Sequence, residues 1–61
     1  MTSHEIRALR LALGLSQEEF ARELGISFAS VNRWENNRAV PSRLAERQLE
    51  QLRRRVERLH A

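Results

Sequence analysis

With 61 residues, no cysteine and no run near the ~18 apolar residues of a membrane span, one small domain (1–61) is expected, without disulfides, thiolate metal site, signal peptide or anchor, at home in the cytoplasm. A chain this short buries only about 60% of the surface it exposes when unfolded, so its own stability is modest. The net charge is +3, every cation is Arg, and eight of the eleven follow residue 30 against four Glu, a basic C-terminal half that favours a polyanion such as nucleic acid, although a GC-rich coding sequence also favours Arg over Lys.

The first helix is predicted from Thr2, where Thr2-x-x-Glu5 has the form of a capping box, to Leu13, before Gly14 ends it. Ile6, Leu9 and Leu13 recur at helical spacing and face the core. Ser16 followed by Glu19 is a second capping box, so a second helix runs from about Gln17 to Leu24, with Phe20 and Leu24 on one buried stripe. Glu18 and Glu19 suit the positive end of its dipole. Gly25 can adopt the positive φ of a sharp exit, Ile26 plugs the gap between helices, and Ser27 is a good cap for a third helix. Ala21 lets the second and third helices cross closely.

On a helical wheel the third helix has two faces. Val31 and Trp34 belong to the core, while Phe28, Ala29, Asn32, Arg33 and Asn36 share an opposite arc. Arg can pair with guanine, Asn with adenine, and an apolar side chain can meet a thymine methyl, so this arc suits a major groove.

The last segment holds no Gly, Pro or Asn after Pro41, which predicts one long helix over about 42–59, capped by Ser42. Ala45, Leu49, Leu52, Val56 and Leu59 alternate by four and three, about two heptads. Leu44 and the early stripe are expected to complete the core, leaving Leu52, Val56 and Leu59 as dimer contacts for a second copy. Two helix-turn-helix units joined in that way would reach half-sites about 34 Å apart.

The run Gly-Leu-Ser-Gln-Glu-Glu-Phe-Ala, then Leu-Gly-Ile-Ser, Val-Asn-Arg-Trp-Glu-Asn and Pro, within residues 6 to 45, resembles the phage-repressor and Cro-type helix-turn-helix domains (lambda-repressor-like, XRE family). Ala21, Gly25 and the apolar Phe20, Leu24, Ile26, Val31 and Trp34 all fall in the family's register. The resemblance implies an all-α, compact bundle of four or five helices, with the helix-turn-helix over about 17–36. It further implies that Gln17, Ser27, Asn36 and Arg38 meet phosphates, that Phe28, Ala29, Asn32 and Arg33 face bases, and that Arg10 and Glu35 form a structural ion pair. This chain has Asn37 where the family usually has Gly, and Asn tolerates left-handed backbone better than other side-chain-bearing residues. Its last segment is one helix where many relatives have two short ones.

Several residues allow a plainer reading. Phe28 could pack on a neighbouring helix, although its outward N-terminal position points to a base or sugar. Trp34 could stack on a base, yet beside Val31 it reads as core. Arg53, Arg54, Arg55 and Arg58 read as solvated surface matched by Glu50 and Glu57 at helical spacing. His4 and His60 stand at opposite ends with no ligand cluster and read as exposed.

The chain has no Asp, Cys or Tyr and no glycine-rich phosphate cradle, and Glu18, Glu19, Glu46 and Glu50 have no apolar pocket to shift a pKa. No enzyme, metal, cofactor, small-molecule ligand or membrane is therefore expected. The leading expectation is a small prokaryotic or phage transcriptional regulator, a repressor that binds double-stranded DNA as a homodimer. The alternatives are an adaptor or antitoxin-like module using the Arg-rich last helix, a DNA-targeting module of a larger enzyme, and a designed binder. Met1 and the polar His60-Ala61 end point to a complete small protein.

Overall fold

Four hydroxyl side chains mark where the helices begin. The computed structural model describes residues 1–59, with α1 over Ser3–Ala12, α2 over Gln17–Leu24, α3 over Phe28–Glu35 and α4 over Arg43–Leu59. Thr2 Oγ1 accepts from the Glu5 amide at 3.1 Å while the Glu5 carboxylate accepts from the Thr2 amide at 2.8 Å, and Ser16 with Glu19 repeats the arrangement at the same distances. Ser27 Oγ accepts from the Ser30 amide, and Ser42 Oγ from the Ala45 amide, each at 3.2 Å. Each bond satisfies an amide that the first turn of a helix otherwise leaves without a partner.

The first three helices also end alike. After α2, Ile26 N donates to Ala21 O at 3.0 Å and Gly25 N to Arg22 O at 3.2 Å, the paired bonds of a Schellman exit. Leu15 N to Arg10 O with Gly14 N to Leu11 O closes α1 in the same way, as Arg38 N to Arg33 O with Asn37 N to Trp34 O closes α3. The motif needs one left-handed residue, supplied by Gly14 at φ 71°, Gly25 at φ 70° and Asn37 at φ 60°. At the third exit Asn takes the conformation for which glycine is favoured.

The helices contact in a ring, α1 to α3 to α2 to α4 and back to α1, so α3 and α4 stand diagonally across the core. Ile6 and Leu9, then Phe20, Ala21 and Leu24, then Val31 and Trp34, then Ala45, Leu49 and Leu52 fill that core, with Leu13, Leu15, Ile26 and Val56 packed partly against it. Phe20, Ile6, Leu49 and Val31 are fully buried.

The structure corrects two expectations about α4. Leu44 is 68% exposed and is no part of the core. Neighbouring helical residues diverge by about 100°, so the stripe that buries Ala45 turns Leu44 aside. Leu52, expected at a seam between copies, is 9% exposed and closes this chain's own core, with Val56 partly buried behind it. Leu59, 72% exposed, is the one member of that trio free of the core. The segment is one helix, giving four helices rather than five among the described residues. His60 lies outside the described residues.

A buried charged pair is built into the packing of α1 on α3. Arg10 Nε donates to Glu35 Oε2 at 2.7 Å and Nη2 to Oε1 at 3.0 Å, and Nη1 donates to the Leu15 carbonyl at 2.9 Å. The side chains of Arg10 and Glu35 are 11% and 2% exposed. Burial by itself pushes the Glu35 carboxyl up, but hydrogen bonds from Arg10 and Gln17, with the charges of Arg10 and Arg7, together hold it below its ordinary range.

Two outcomes follow for stability. Replacing Asn37 by Val, which strongly disfavours left-handed backbone, should lower unfolding free energy by about 1 to 2 kcal/mol in urea titrations. Replacing Glu35 by Gln leaves a buried guanidinium without its counter-charge and should cost about 3 kcal/mol, while Arg10→Met with Glu35→Leu should cost clearly less than the two single changes summed. Because the folded carboxyl titrates below its ordinary value near 4.5, its contribution is present above that pH and is lost as pH falls through the folded value. Glu5 and Glu19 are shifted down too, first by backbone hydrogen bonds from Thr2 and Ser16. Urea titrations at neutral and acid pH should therefore show a shallower acid loss in Glu35→Gln than in the parent, and equal slopes would contradict the pairing.

Candidate nucleic-acid interface

The turn between α2 and α3 sets the direction in which α3 leaves the core. Gly25 closes α2, the partly buried Ile26 packs against the core, and Ser27 caps α3, so the turn occupies three residues. Val31 and Trp34 point inward, and the opposite side carries Phe28, Ala29 and Arg33 exposed and Asn32 half-buried. Phe28 is 47% exposed, a large ring only half covered by its own chain. That arc holds no carboxylate, since Glu35, the one acid of α3, is turned inward onto Arg10.

A line of side-chain amides runs outward from that buried pair. Gln17 Nε2, at the first residue of α2, donates to Glu35 Oε1 at 3.1 Å, and Gln17 Oε1 accepts from Asn32 Nδ2 at 3.1 Å. Asn32 Oδ1 in turn accepts from Asn36 Nδ2 at 3.2 Å, and the same Nδ2 donates to the Asn32 carbonyl at 2.9 Å. Arg10, Glu35, Gln17, Asn32 and Asn36 thus form one chain of contacts from α1 through α2 to the outer side of α3. Every buried side-chain nitrogen and oxygen among the described residues has a partner.

Counting hydrogens shows what each amide has left. An Asn or Gln side chain offers two N–H donors and one oxygen. Gln17 and Asn32 each spend one hydrogen inside the chain and keep one. Asn36 aims its Nδ2 at two acceptors of Asn32, so contact of its amide with a phosphate competes with those bonds. The Ser27 hydroxyl accepts from the Ser30 amide and lies 3.0 Å from the Ser30 hydroxyl. Arg33 and Arg38 are exposed and enter no ion pair among the described residues.

The structure therefore gathers Phe28, Ala29, Asn32 and Arg33 on one side of α3, with Ser27 at its start, Gln17 of α2 against Asn32 and Glu35 in its second half, and Asn36 and Arg38 past its end. Sequence reasoning missed two neighbours of this group. Arg7 stands 3.8 Å from Glu35 as an outer charge, and its position three residues before Arg10 could have shown it. The Leu15 carbonyl that holds Arg10 is a backbone atom and leaves no trace in residue identity. Among the described residues no group of three or more His, Cys, Asp or Glu could hold a metal ion, and no helix is long and apolar enough to cross a membrane.

The comparisons with known proteins bear on the same stretch. A model of a helix-turn-helix family matches residues 6–57, which takes in all of α2 and α3 and most of α1 and α4. Over 38 residues, 62% of this chain, it is 50% identical to an uncharacterized HTH-type transcriptional regulator, YiaG, of Escherichia coli strain K12, and equally so to YiaG of Escherichia coli O157:H7. The matched stretch is 40% of the length of those relatives. No solved structure matches. With two capped helices, a left-handed turn and an outward face all lying inside the matched residues, the chain belongs to the helix-turn-helix family, one of DNA-binding regulators.

Proposed function

We propose that residues 1–61 act as one sequence-specific reader of double-stranded DNA, which inserts α3 in the major groove and regulates transcription by occupying its site. The supporting observation is the outer side of α3: Phe28, Ala29, Asn32 and Arg33 form a carboxylate-free face braced from behind by Gln17 and the Arg10–Glu35 pair. In this reading Arg33 pairs with guanine, the remaining Asn32 hydrogen meets a base acceptor, and Phe28 and Ala29 meet thymine methyl groups or sugar. Gln17 and Ser27 at the start of the unit and Asn36 and Arg38 after it meet phosphates, which fix the position of α3 without carrying sequence information. Occupancy alone suffices for repression, and we assign that role and a cytoplasmic, nucleoid-bound location. The relatives' printed description as transcriptional regulators supports the regulatory part.

We further propose that the chain acts as a homodimer on DNA. Leu59 stands exposed at the end of α4 with Val56 only partly covered, and Leu44 is exposed on the same helix. A pair of reading units then faces half-sites about one helical turn, ~34 Å, apart.

Selection from random duplex DNA should recover one preferred site with two-fold symmetry. On that site Arg33→Ala should remove about 1 to 3 kcal/mol of discrimination at one base position, whereas Arg38→Ala should weaken all sequences alike and lower the salt slope by about 1. Enrichment of no sequence at physiological salt, or an Arg33→Ala variant with unchanged preference, would defeat the reading. Leu59→Glu should abolish cooperative binding to two half-sites while leaving weak binding to one, and cooperativity equal to the parent would remove Leu59 from the dimer contact.

A further inference from the structure

α4 carries a second charged surface that the proposed function leaves unused. Arg43, Arg47, Gln51, Arg54 and Arg58 are all exposed and follow one another at spacings of four, four, three and four. At about 100° per residue they fall within an arc of about 80°, opposite the buried Ala45, Leu49 and Leu52. None of these four Arg enters an ion pair among the described residues. Three of the nearby acids are turned elsewhere, Glu46 onto the Met1 amine at 2.6 Å, Glu50 onto Arg53 at 2.8 Å and Glu23 onto Arg55 at 3.6 Å, which leaves the exposed Glu57, three residues after Arg54, as one acid beside four Arg. Like charges four apart destabilise a helix, so Arg43 with Arg47, and Arg54 with Arg58, stand against a cost that a bound polyanion would relieve.

Two further observations say which polyanion, and where it lies. The row contains no aromatic side chain, and its one apolar neighbour, the exposed Leu44 beside Arg43 and Arg47, lies at its edge and not at its centre, where a protein partner is ordinarily anchored. A phosphate backbone needs no apolar anchor, and Arg binds phosphate through paired hydrogen bonds. From Arg43 to Arg58 the row rises about 22 Å along the helix, which spans about six nucleotides of one strand at 3.4 Å each. The row also faces away from α3, because α3 and α4 lie diagonally across the core and each points its polar side outward. The molecule is at least 20 Å across along each principal axis, so one straight duplex with α3 in its groove is not expected to reach a row on the opposite side.

We propose that Arg43, Arg47, Arg54 and Arg58 bind the phosphate backbone of a second DNA duplex, without regard to sequence, so that the domain can bridge two duplexes. The proposal rests on the reading of α3 only in naming which duplex comes first.

The test uses the whole chain bound to an immobilised duplex that carries its selected site, to which a labelled duplex lacking the site is added. The parent should capture the labelled duplex, with a slope of about −3.6 for log affinity against log salt. Arg47→Gln, Arg54→Gln and Arg58→Gln together should cut capture at least about tenfold and flatten that slope, with site affinity changed less than about threefold. Arg43 is spared because it lies close in sequence to Arg38, and circular dichroism melting of the triple variant checks that it folds. Capture equal to the parent's in a folded triple variant overturns the proposal. So does a loss of site affinity as large as the loss of capture, which would put the row on the first duplex. A polyglutamate peptide that displaces the labelled duplex as well as unlabelled duplex does, at equal charge, would likewise overturn it in favour of an acidic protein. Arg33→Ala keeps the two readings apart: if it leaves site preference intact while the triple variant still loses capture, the assignment of α3 fails and that of α4 stands.

Discussion

The position of α3 depends on one buried charge pair. Arg10 on α1 grips Glu35, the last residue of α3, with two hydrogen bonds and fastens its remaining guanidinium nitrogen to the Leu15 carbonyl just beyond the α1 exit. Desolvating two charges is expensive and such a pair is weak evidence for stability, since apolar residues of similar size often serve as well. What an apolar pair would not supply is direction. A bidentate carboxylate has lone pairs to spare, and Glu35 uses one to hold Gln17, which then holds Asn32 and, through it, Asn36. Each of these bonds contributes only about 1 kcal/mol net to folding. Under the proposed function their larger consequence is on the outer face of α3, where amides already fixed by the fold would spare about 0.5 to 1.5 kcal/mol per side chain that binding would otherwise spend on ordering.

That constraint connects packing with recognition. Val31 and Trp34 fix the rotation of α3 about its axis from within the core, and the amide chain fixes the outer side from the start of α2. The three-residue turn serves both, because Gly25 in left-handed geometry lets α3 leave α2 at an angle that brings Gln17 within reach of Asn32 and Glu35. A helix held from two sides can present Phe28, Ala29 and Arg33 to a groove without rearranging first.

Local chemistry made most of this legible in the sequence. The boxes at Thr2 and Ser16, the cap at Ser27 and the left-handed residues at Gly25 and Asn37 each depend on a few consecutive residues, and the helices begin and end where those residues allow. The buried stripe of α4 followed from its spacing as far as Leu49. What spacing did not disclose was where the core stops. Leu44 lies off the stripe and spacing alone turns it aside, but for Leu52, which lies on the stripe, only the placement of α1 and α2 against α4 decides that this chain's own core encloses it. The hydrogen bookkeeping at the candidate site was hidden for a similar reason. That Asn36 turns its side-chain nitrogen onto two acceptors of Asn32 depends on rotamers and not on residue identity.

Under the proposed function the amides on the outer side of α3 are set before DNA arrives, and α3 is what DNA meets. The most direct test is NMR of the whole chain, free and with one equivalent of its selected duplex, observing backbone and side-chain amides together. In the free chain the side-chain amides of Gln17 and Asn32 should exchange with water more slowly than that of the exposed Gln51, and the largest shifts on adding DNA should fall on Phe28 through Arg33. Exchange at Gln17 and Asn32 as fast as at Gln51, or DNA-induced shifts concentrated on α4 with α3 unchanged, would contradict it.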